Sequence, residues 1–154
     1  MINNVESLLT DFISVANLAG YSIGLPDVVY EVLPAPHHPG NLPMGKQAVY
    51  VFSLANKSQS ILKVGKVGVN SNARFLSQHY NPNSSRSNLA KSLLENIEAL
   101  GSLGNVDINE ANIGTWIKKY TDRENFYLAS DQGLLLLSLL EVFMHCRLQP
   151  LFEG

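Results

Sequence analysis

The stretch that decides the fold is "QAVYVFSLANKSQSILKVGKVG", residues 47–68. Residues 47–55 and 60–67 are rich in β-branched and aromatic side chains, and the polar segment "NKSQ" separates them. Two such runs joined by a short polar turn predict a β-hairpin. The second run ends in "LKVGKVG", with two lysines and two glycines in seven positions. This segment is therefore either a strand end with solvated lysines or a basic pocket for a phosphate.

The hairpin is followed and preceded by segments with the periodicity of helices. Apolar residues at helical spacing predict a first helix over 3–19, and residues 20–45, with five prolines and four glycines, predict a loop or wrapping arm. A short strand at 28–32 fits within this arm. The remaining predicted elements are helices at 71–79, 86–100 and 113–120, a third strand at 124–130 and an apolar helix at 132–147. The order predicts an α/β (α+β) fold with helices around a three-stranded sheet.

Length and composition favour one compact domain. The chain has 154 residues, of which 45% are hydrophobic. This is enough for one domain with a hydrophobic core, whereas two domains would each be too small to fold comfortably. A single cysteine, Cys146, and acidic Glu6 and Asp11 near the N-terminus predict a reducing, cytoplasmic setting without a secretory signal. The apolar run at 134–144 is interrupted by Glu141 and is shorter than the roughly 20 residues of a membrane span. It predicts a core helix and no membrane partner.

The charges are distributed unevenly along the chain. The formal net charge is −2, yet no acidic residue lies between Glu31 and Glu95. Seven of the eleven basic residues fall in this interval: Lys46, Lys57, Lys63, Lys66, Arg74, Arg86 and Lys91. Such an interval predicts an electropositive face for a polyanion. The alternative is a chance gap in acidic residues within a Ser- and Asn-rich region.

Several short motifs occur in an order that resembles the GIY-YIG nuclease domain. They are "AVY" at 48–50, "KVGK" at 63–66, Arg74, His79, Glu141 and the closing segment "CRLQPLFEG". The resemblance covers residues 46–154 and leaves residues 1–45 as an N-terminal helix and a proline-rich arm packed on that domain. It implies a three-stranded antiparallel sheet flanked by helices, with a metal-dependent phosphodiesterase site on one sheet face.

The resemblance also assigns roles, with three departures. It implies that Tyr50 is the first-strand tyrosine, Arg74 the helix arginine and Glu141 the metal-binding glutamate. Lys63 stands where the family usually has a second tyrosine. His79 follows the arginine by five positions rather than four, and Glu153 replaces the terminal asparagine.

Residue chemistry supports the same site. Glu141 lies among apolar neighbours, where a carboxylate requires compensation, and Mg²⁺ (or Mn²⁺) accepts one or two carboxylates together with water and phosphate oxygens. The alternatives for Glu141 are an exposed helix face or a pair with His145 one turn later. Tyr50 can polarise or deprotonate water if a nearby cation such as Lys63 lowers its pKa. Its alternative is ordinary packing in the hairpin.

The cations differ in what they can contribute. Lys63 and Lys66 are three positions apart, so they should face opposite sides of a strand unless Gly65 introduces a bulge. The planar fork of Arg74 matches two phosphate oxygens at once. His79 is either a general acid or base, or a helix-end cap.

Two further segments carry polar residues that could bind ligands. His37 and His38 in "PAPHHPG" have no Cys or acidic neighbours at metal spacing, which predicts a surface loop rather than a zinc site. Residues 79–94 place Arg86 and Lys91 on a loop that leads into a helix, where they could contact phosphates together with Lys66. An ordinary capped turn is the alternative for this loop.

These observations favour a metal-dependent endonuclease that hydrolyses DNA phosphodiester bonds, with RNA left open as a substrate. The predicted catalytic residues are Tyr50, Lys63, Arg74, His79 and Glu141, with Glu141 as the metal ligand. The alternative is a catalytically degenerate domain of this fold that binds nucleic acid or a protein, because Lys63 and Glu153 depart from the family pattern.

Overall fold

The computed structural model describes residues 1–55, 60–84, 88–98, 100 and 107–152. Within these residues the chain forms five α-helices and four β-strands. The helices are α1 (Val5–Leu18), α2 (Asn72–Leu76), α3 (Leu89–Glu95), α4 (Ile113–Tyr120) and α5 (Leu134–Leu148). The strands are β1 (Val29–Leu33), β2 (Lys46–Leu54), β3 (Ile61–Val67) and β4 (Thr121–Ala129).

The four strands form one antiparallel sheet in the order β1-β4-β2-β3. The mixed α+β class is thus confirmed, but the predicted number of three strands is wrong. β1 lies inside the proline-rich arm and pairs with β4 from Val29↔Tyr127 to Leu33↔Arg123. The prolines at positions 26 and 34 flank this strand and leave its ladder uninterrupted. Because β4 lies far from β1 in the sequence, the pairing of β1 does not follow from its local composition.

The predicted hairpin consists of β2 and β3, and its register positions the candidate site. Tyr50 pairs with Gly65 and Phe52 with Lys63, and the register shifts between Phe52 and Ser53. The turn at 56–59 lies outside the described residues. β4 begins at Thr121, three residues before the predicted third strand, because its polar first residues pair with the end of β2.

The sheet buries both faces because its central strand alternates between two cores. Tyr50 and Phe52 point toward α2, α3 and α4, where they pack with Phe75, Leu89 and Ile113. Val49 and Val51 point toward α1 and α5. The second core takes its residues from the first helix (Leu8, Leu9, Phe12, Ala16) and from the last (Leu136, Leu137, Leu140, Met144). Residues 1–45 therefore share a core with the rest of the described chain.

The segments after the hairpin are shorter than predicted. α2 ends at Leu76 and is followed by a 3-10 turn, Gln78–Tyr80, which carries His79. α3 begins at Leu89, where the Asn88 side chain accepts a hydrogen bond from the Lys91 amide, as an N-cap does. The predicted helix ran over 86–100, and its residues 86, 87 and 99 lie outside the described residues.

The end of the described chain covers the edge strand β3. Leu151 and Phe152 donate backbone hydrogen bonds to Ile61 and Leu62, and Phe152 forms a parallel bridge with Lys63. Phe152 joins the core on the Tyr50 side of the sheet. Among the helices of the described chain, none combines the length and apolar content that crossing a bilayer requires.

Candidate active site

Three of the five predicted catalytic residues, Tyr50, Arg74 and His79, meet at the Tyr50 hydroxyl. Arg74 Nε donates a hydrogen bond to Tyr50 Oη at 3.2 Å, and His79 Nε2 lies 2.5 Å from the same oxygen. The Tyr50 side chain is fully buried in the sheet face. Across the hairpin Gly65 leaves room for the phenol, since a Cβ built at Gly65 would lie 2.5 Å from the hydroxyl. The pattern Tyr opposite Gly is thus a steric requirement of this site.

A backbone amide fixes the tautomer of His79. The N–H of Leu89, at the start of α3, donates to His79 Nδ1 at 3.3 Å. Nδ1 must therefore be unprotonated, and the neutral ring carries its proton on Nε2. His79 accordingly donates to Tyr50 Oη, which accepts from two N–H groups.

Burial and cations act on the pKa values of this pair. Burial, followed by the positive charges of Arg123, Arg74 and Lys63, lowers the pKa of His79 well below its usual value. Burial raises the pKa of Tyr50, and Arg74 and Arg123 oppose this rise. Near neutral pH the histidine is uncharged and the phenol keeps its proton. The two N–H donors stabilise the phenolate when that proton leaves.

Lys63 is a buried amine that lacks a hydrogen-bond partner within the part of the chain that the structure describes. It lies opposite Phe52 on the Tyr50 face of the sheet and is 1% exposed. Its Nζ has no hydrogen-bond partner among the described residues. Burial and the charge of Arg74 lower the pKa of Lys63, and the charge of Glu141 raises it. Lys63 therefore interacts electrostatically both with Arg74, which binds the Tyr50 hydroxyl, and with Glu141.

Glu141 and Lys66 form a pair on the opposite face of β3. Lys66 Nζ lies 2.8 Å from Glu141 Oε2 and donates to Ser138 Oγ at 2.9 Å. The side chains of Lys66 and Glu141 are 39% and 21% exposed. Lys63 and Lys66 thus face opposite sides of β3, as the strand alternation predicts. Glu141 therefore neither lies on an exposed helix face nor pairs with His145, the two alternatives considered for it; it forms an ion pair with Lys66.

The donor set near Glu141 fits a hydrated divalent cation better than a dehydrated one. Among residues 1–55, 60–84, 88–98, 100 and 107–152, no three His, Cys, Asp or Glu side chains cluster as metal ligands. A zinc-type site of three or four protein ligands is therefore not formed by these residues. Mg²⁺ keeps several waters and takes one or two carboxylates, so Glu141 alone can hold it, in competition with Lys66.

The predicted phosphate contacts are only partly brought to the site. Arg86 lies outside the described residues. Lys91 is half exposed and lies 3.7 Å from Glu95, one turn along α3. Lys66 and Lys91 thus have acidic partners from outside the acid-free interval, so that interval is less positive in the fold than along the sequence.

The prediction that both histidines of "PAPHHPG" lie on the surface is wrong for His37. The His37 ring is buried, with Nδ1 2.7 Å from the Thr121 carbonyl oxygen and Nε2 2.8 Å from the Tyr80 hydroxyl. His38 is exposed. Both partners of His37 come from distant parts of the chain, so its surroundings are set by the tertiary fold.

Arg123 is a residue of the site region that the sequence interpretation missed. It is fully buried on β4, beneath Tyr50 and next to Phe75. In the sequence, Arg123 lies in the polar run "TDREN", which resembles a solvated turn and not a buried strand. The signal that could have found it is the two-residue spacing of Arg123, Asn125 and Tyr127, which places all three on one strand face.

No protein-family model, curated protein or solved structure matches this chain.

Proposed function

We propose that this chain is a divalent-metal-dependent endonuclease that hydrolyses DNA phosphodiester bonds at a GIY-YIG-like site. The observation that carries the proposal is the double hydrogen bond to Tyr50 Oη, from Arg74 Nε and His79 Nε2. A buried tyrosine whose oxygen accepts two N–H groups has its own proton directed away from both. A buried hydroxyl needs only one hydrogen-bond partner, so the second N–H donor goes beyond what packing requires.

The chemistry follows from these contacts. The Tyr50 phenol first loses its proton to solvent, and the donors Arg74 and His79 stabilise the resulting phenolate. The phenolate then takes a proton from the attacking water as the water oxygen bonds to phosphorus; the P–O bond to the leaving sugar oxygen breaks, and that oxygen takes a proton from solvent. The remaining guanidinium N–H groups of Arg74 are suited to phosphate oxygens, which gain negative charge in the transition state. Glu141 lies on the other face of the edge strand β3 but acts electrostatically on Tyr50, so Mg²⁺ held by Glu141 would supply further positive charge near the phosphate.

The substrate must gain access to a buried hydroxyl. Tyr50 and His79 are fully buried, whereas Arg74 is half-buried and covers the same hydroxyl. We expect Arg74 to exchange its contact with Tyr50 for the phosphate when DNA binds. The site is then closed in the free protein and opens on binding.

A second candidate function is a DNA- or protein-binding domain without hydrolytic activity. The ion pair between Lys66 and Glu141 favours this alternative, because it occupies the carboxylate that a metal needs. Lys63, in the position of the family's second tyrosine, points the same way.

A nicking assay separates the two functions. Supercoiled plasmid is incubated with the wild-type chain in Mg²⁺ or in EDTA, alongside Tyr50→Phe and the control Tyr120→Phe, whose ring is 44% exposed. The endonuclease proposal expects Mg²⁺-dependent nicking that falls by about 10² to 10⁴ in Tyr50→Phe and is unchanged in the control. Plasmid binding without nicking would favour the binding domain. Equal nicking by Tyr50→Phe would contradict the role of Tyr50.

A further inference from the structure

Arg123 is held by an unusual set of contacts for an arginine on a central strand. Its Nε donates to Asn125 Oδ1 at 3.0 Å, and its Nη1 donates to the Phe75 carbonyl oxygen at 2.7 Å and to the Tyr80 hydroxyl at 3.3 Å. The guanidinium carbon lies 4.1 Å from the centroid of the Phe75 ring. Its Nη2 has no hydrogen-bond partner among the described residues.

Among the described residues, this buried guanidinium has no carboxylate partner at ion-pair distance. Arg123 is 0% exposed, and no acidic group within the described ranges lies at ion-pair distance from it. Its neighbours on the strand, Asp122 and Glu124, bind the backbone amides of Ala35 and Ile2 instead. Burying an unpaired charge is costly, and an apolar side chain of similar volume avoids that cost. A role that requires both the charge and the fork of donors accounts for its presence.

The position of the Arg123 contacts indicates that role. Phe75 directly follows Arg74, and Tyr80 directly follows His79. A single nitrogen of Arg123 therefore binds next to each of the two residues that donate to Tyr50. Because Arg123 and Tyr50 lie on adjacent central strands, these bonds tie the α2 segment to the sheet at the site.

We propose that Arg123 is a positioning residue, which holds Arg74 and His79 against the Tyr50 hydroxyl through its bonds to Phe75 and Tyr80. The proposal rests on the function proposed above for the Tyr50 site, and it concerns a residue that does not touch the substrate.

The charge of Arg123 supports the same arrangement. A protonated His79 would direct its Nδ1–H at the N–H of Leu89, with two donors facing each other. After burial, the charge of Arg123 is the largest influence that lowers the pKa of His79. The titratable and charged groups that face this ring are Tyr50 from β2, Lys63 from β3, Arg74 from α2 and Arg123 from β4. No carboxylate among the described residues offsets these cations in the pKa of His79.

The test compares Arg123→Met and Arg123→Lys with the control Arg147→Met. Arg147 is also an arginine near an aromatic ring, 5.6 Å from the centroid of Phe143, but it is exposed and distant from Tyr50. The first readout is the nitrogen NMR signal of His79 between about pH 5 and pH 8 in free protein, which reports its tautomer and its pKa. The second readout is the single-turnover rate of DNA nicking over the same pH range.

The expected results separate charge from geometry. In wild type and Arg147→Met, His79 keeps its proton on Nε2 and does not titrate. In Arg123→Met, its pKa should rise toward the usual value, and nicking should slow by about 10- to 100-fold, most strongly at low pH. Arg123→Lys keeps the charge but loses the Nε bond to Asn125 that orients the guanidinium toward Phe75 and Tyr80, so it should slow nicking without a titration of His79.

Opposite outcomes would overturn the proposal. If folded Arg123→Met leaves the His79 signal and the pH profile unchanged, Arg123 has no positioning role. If Arg123→Met does not fold, Tyr80→Phe removes one of the bonds: a shifted His79 signal supports the proposal, and an unchanged signal contradicts it. If wild type does not nick DNA, the nuclease proposal fails, and the His79 signal still decides the role of Arg123.

Discussion

Lys66 Nζ and Glu141 Oε2 lie 2.8 Å apart, which places a lysine on the carboxylate that the sequence predicts as the metal ligand. The pair joins the edge strand β3 to α5. Since both side chains are partly exposed, the pair itself stabilises the fold by less than about 1 kcal/mol. The chemical consequence is larger, because a metal ion must compete with the ammonium group for the same carboxylate.

Glu141→Gln should abolish Mg²⁺-dependent nicking while folding and DNA binding remain nearly intact. The change removes the anchoring charge for the metal and keeps the size of the side chain. The matched control is Glu95→Gln, which removes an exposed carboxylate that is likewise paired with a lysine. Nicking and DNA affinity of both variants are measured together with a thermal melt. Full activity in Glu141→Gln would contradict its role as a metal ligand.

Lys66→Met should lower the Mg²⁺ concentration required for half-maximal nicking, because Glu141 loses its competitor. An ion pair with a purely structural role predicts no change in the Mg²⁺ requirement. A Mg²⁺ titration of the nicking rate at saturating DNA distinguishes the two cases. A raised Mg²⁺ requirement would indicate instead that Lys66 helps to hold the substrate phosphate beside the metal.

The parts of the fold that follow from local patterns could be predicted from the sequence. The alternation of Tyr50 and Phe52 with valines requires a strand buried on both faces, and the polar turn after it requires a hairpin. The spacing of Lys63 and Lys66 places them on opposite faces of β3, which the structure confirms. These outcomes depend on neighbours within a few residues.

The parts that depend on distant contacts could not be predicted in this way. The short strand expected at 28–32 is present as β1, but its pairing with the distant strand β4, which makes it part of the sheet, is not encoded in its local sequence. His37 is buried because Thr121 and Tyr80 provide its hydrogen bonds. Arg123 is buried because three aromatic rings and the Phe75 carbonyl surround its guanidinium.

Gly65→Ala should displace the Tyr50 side chain and weaken its hydrogen bond to His79. The new Cβ would lie 2.5 Å from the Tyr50 hydroxyl and 2.7 Å from the ring carbon that bears it, so the phenol must shift. We expect a loss of about 1 to 3 kcal/mol in the free energy of unfolding, together with a weaker Tyr50–His79 bond. Gly40→Ala is the control, since a Cβ at Gly40 meets no atom within 4 Å. Chemical denaturation and His79 NMR signals measure both effects, and equal stability of the two variants would refute the steric argument.

DNA affinity should fall steeply with salt if the interval from Val32 to Leu94 forms the docking face. Replacing a lysine that contacts one phosphate reduces the slope of log K against log salt by about one. Lys91→Gln should therefore reduce the slope, and so should Arg86→Gln outside the described residues. Arg147→Gln is the control, because Arg147 lies outside the interval and pairs with Asp11. Fluorescence anisotropy at several salt concentrations gives the slopes, and affinity that does not depend on salt would rule out such a face.

Lys63→Met should raise the free energy of unfolding and lower the rate of DNA nicking. Lys63 is buried, and its Nζ has no hydrogen-bond partner in the described ranges of the chain. Its pKa in the folded chain lies below the usual value of 10.5, chiefly through burial. The protonated amine is solvated better in the unfolded chain than in the folded chain, where burial disfavours the charged form. Removing it should raise the free energy of unfolding by about 1 to 3 kcal/mol. Between the lowered pKa and 10.5 the unfolded chain binds more protons, so the stability of wild type rises with pH and its deficit relative to Lys63→Met shrinks.

The rate of Lys63→Met decides whether this stability cost has a catalytic purpose. If Lys63 assists the loss of the Tyr50 proton or holds the attacking water, single-turnover nicking should slow by about 10² to 10⁴ with little change in DNA affinity. Lys63→Tyr, which introduces the residue usual in the GIY-YIG family, should recover part of that rate. If Lys63 instead only contacts a phosphate, Lys63→Met should bind DNA more weakly and with a shallower salt slope, while its single-turnover rate stays nearly unchanged. If neither variant alters rate or binding, Lys63 has no part in the site, and the pocket inferred from "LKVGKVG" rests on Lys66 and Arg74.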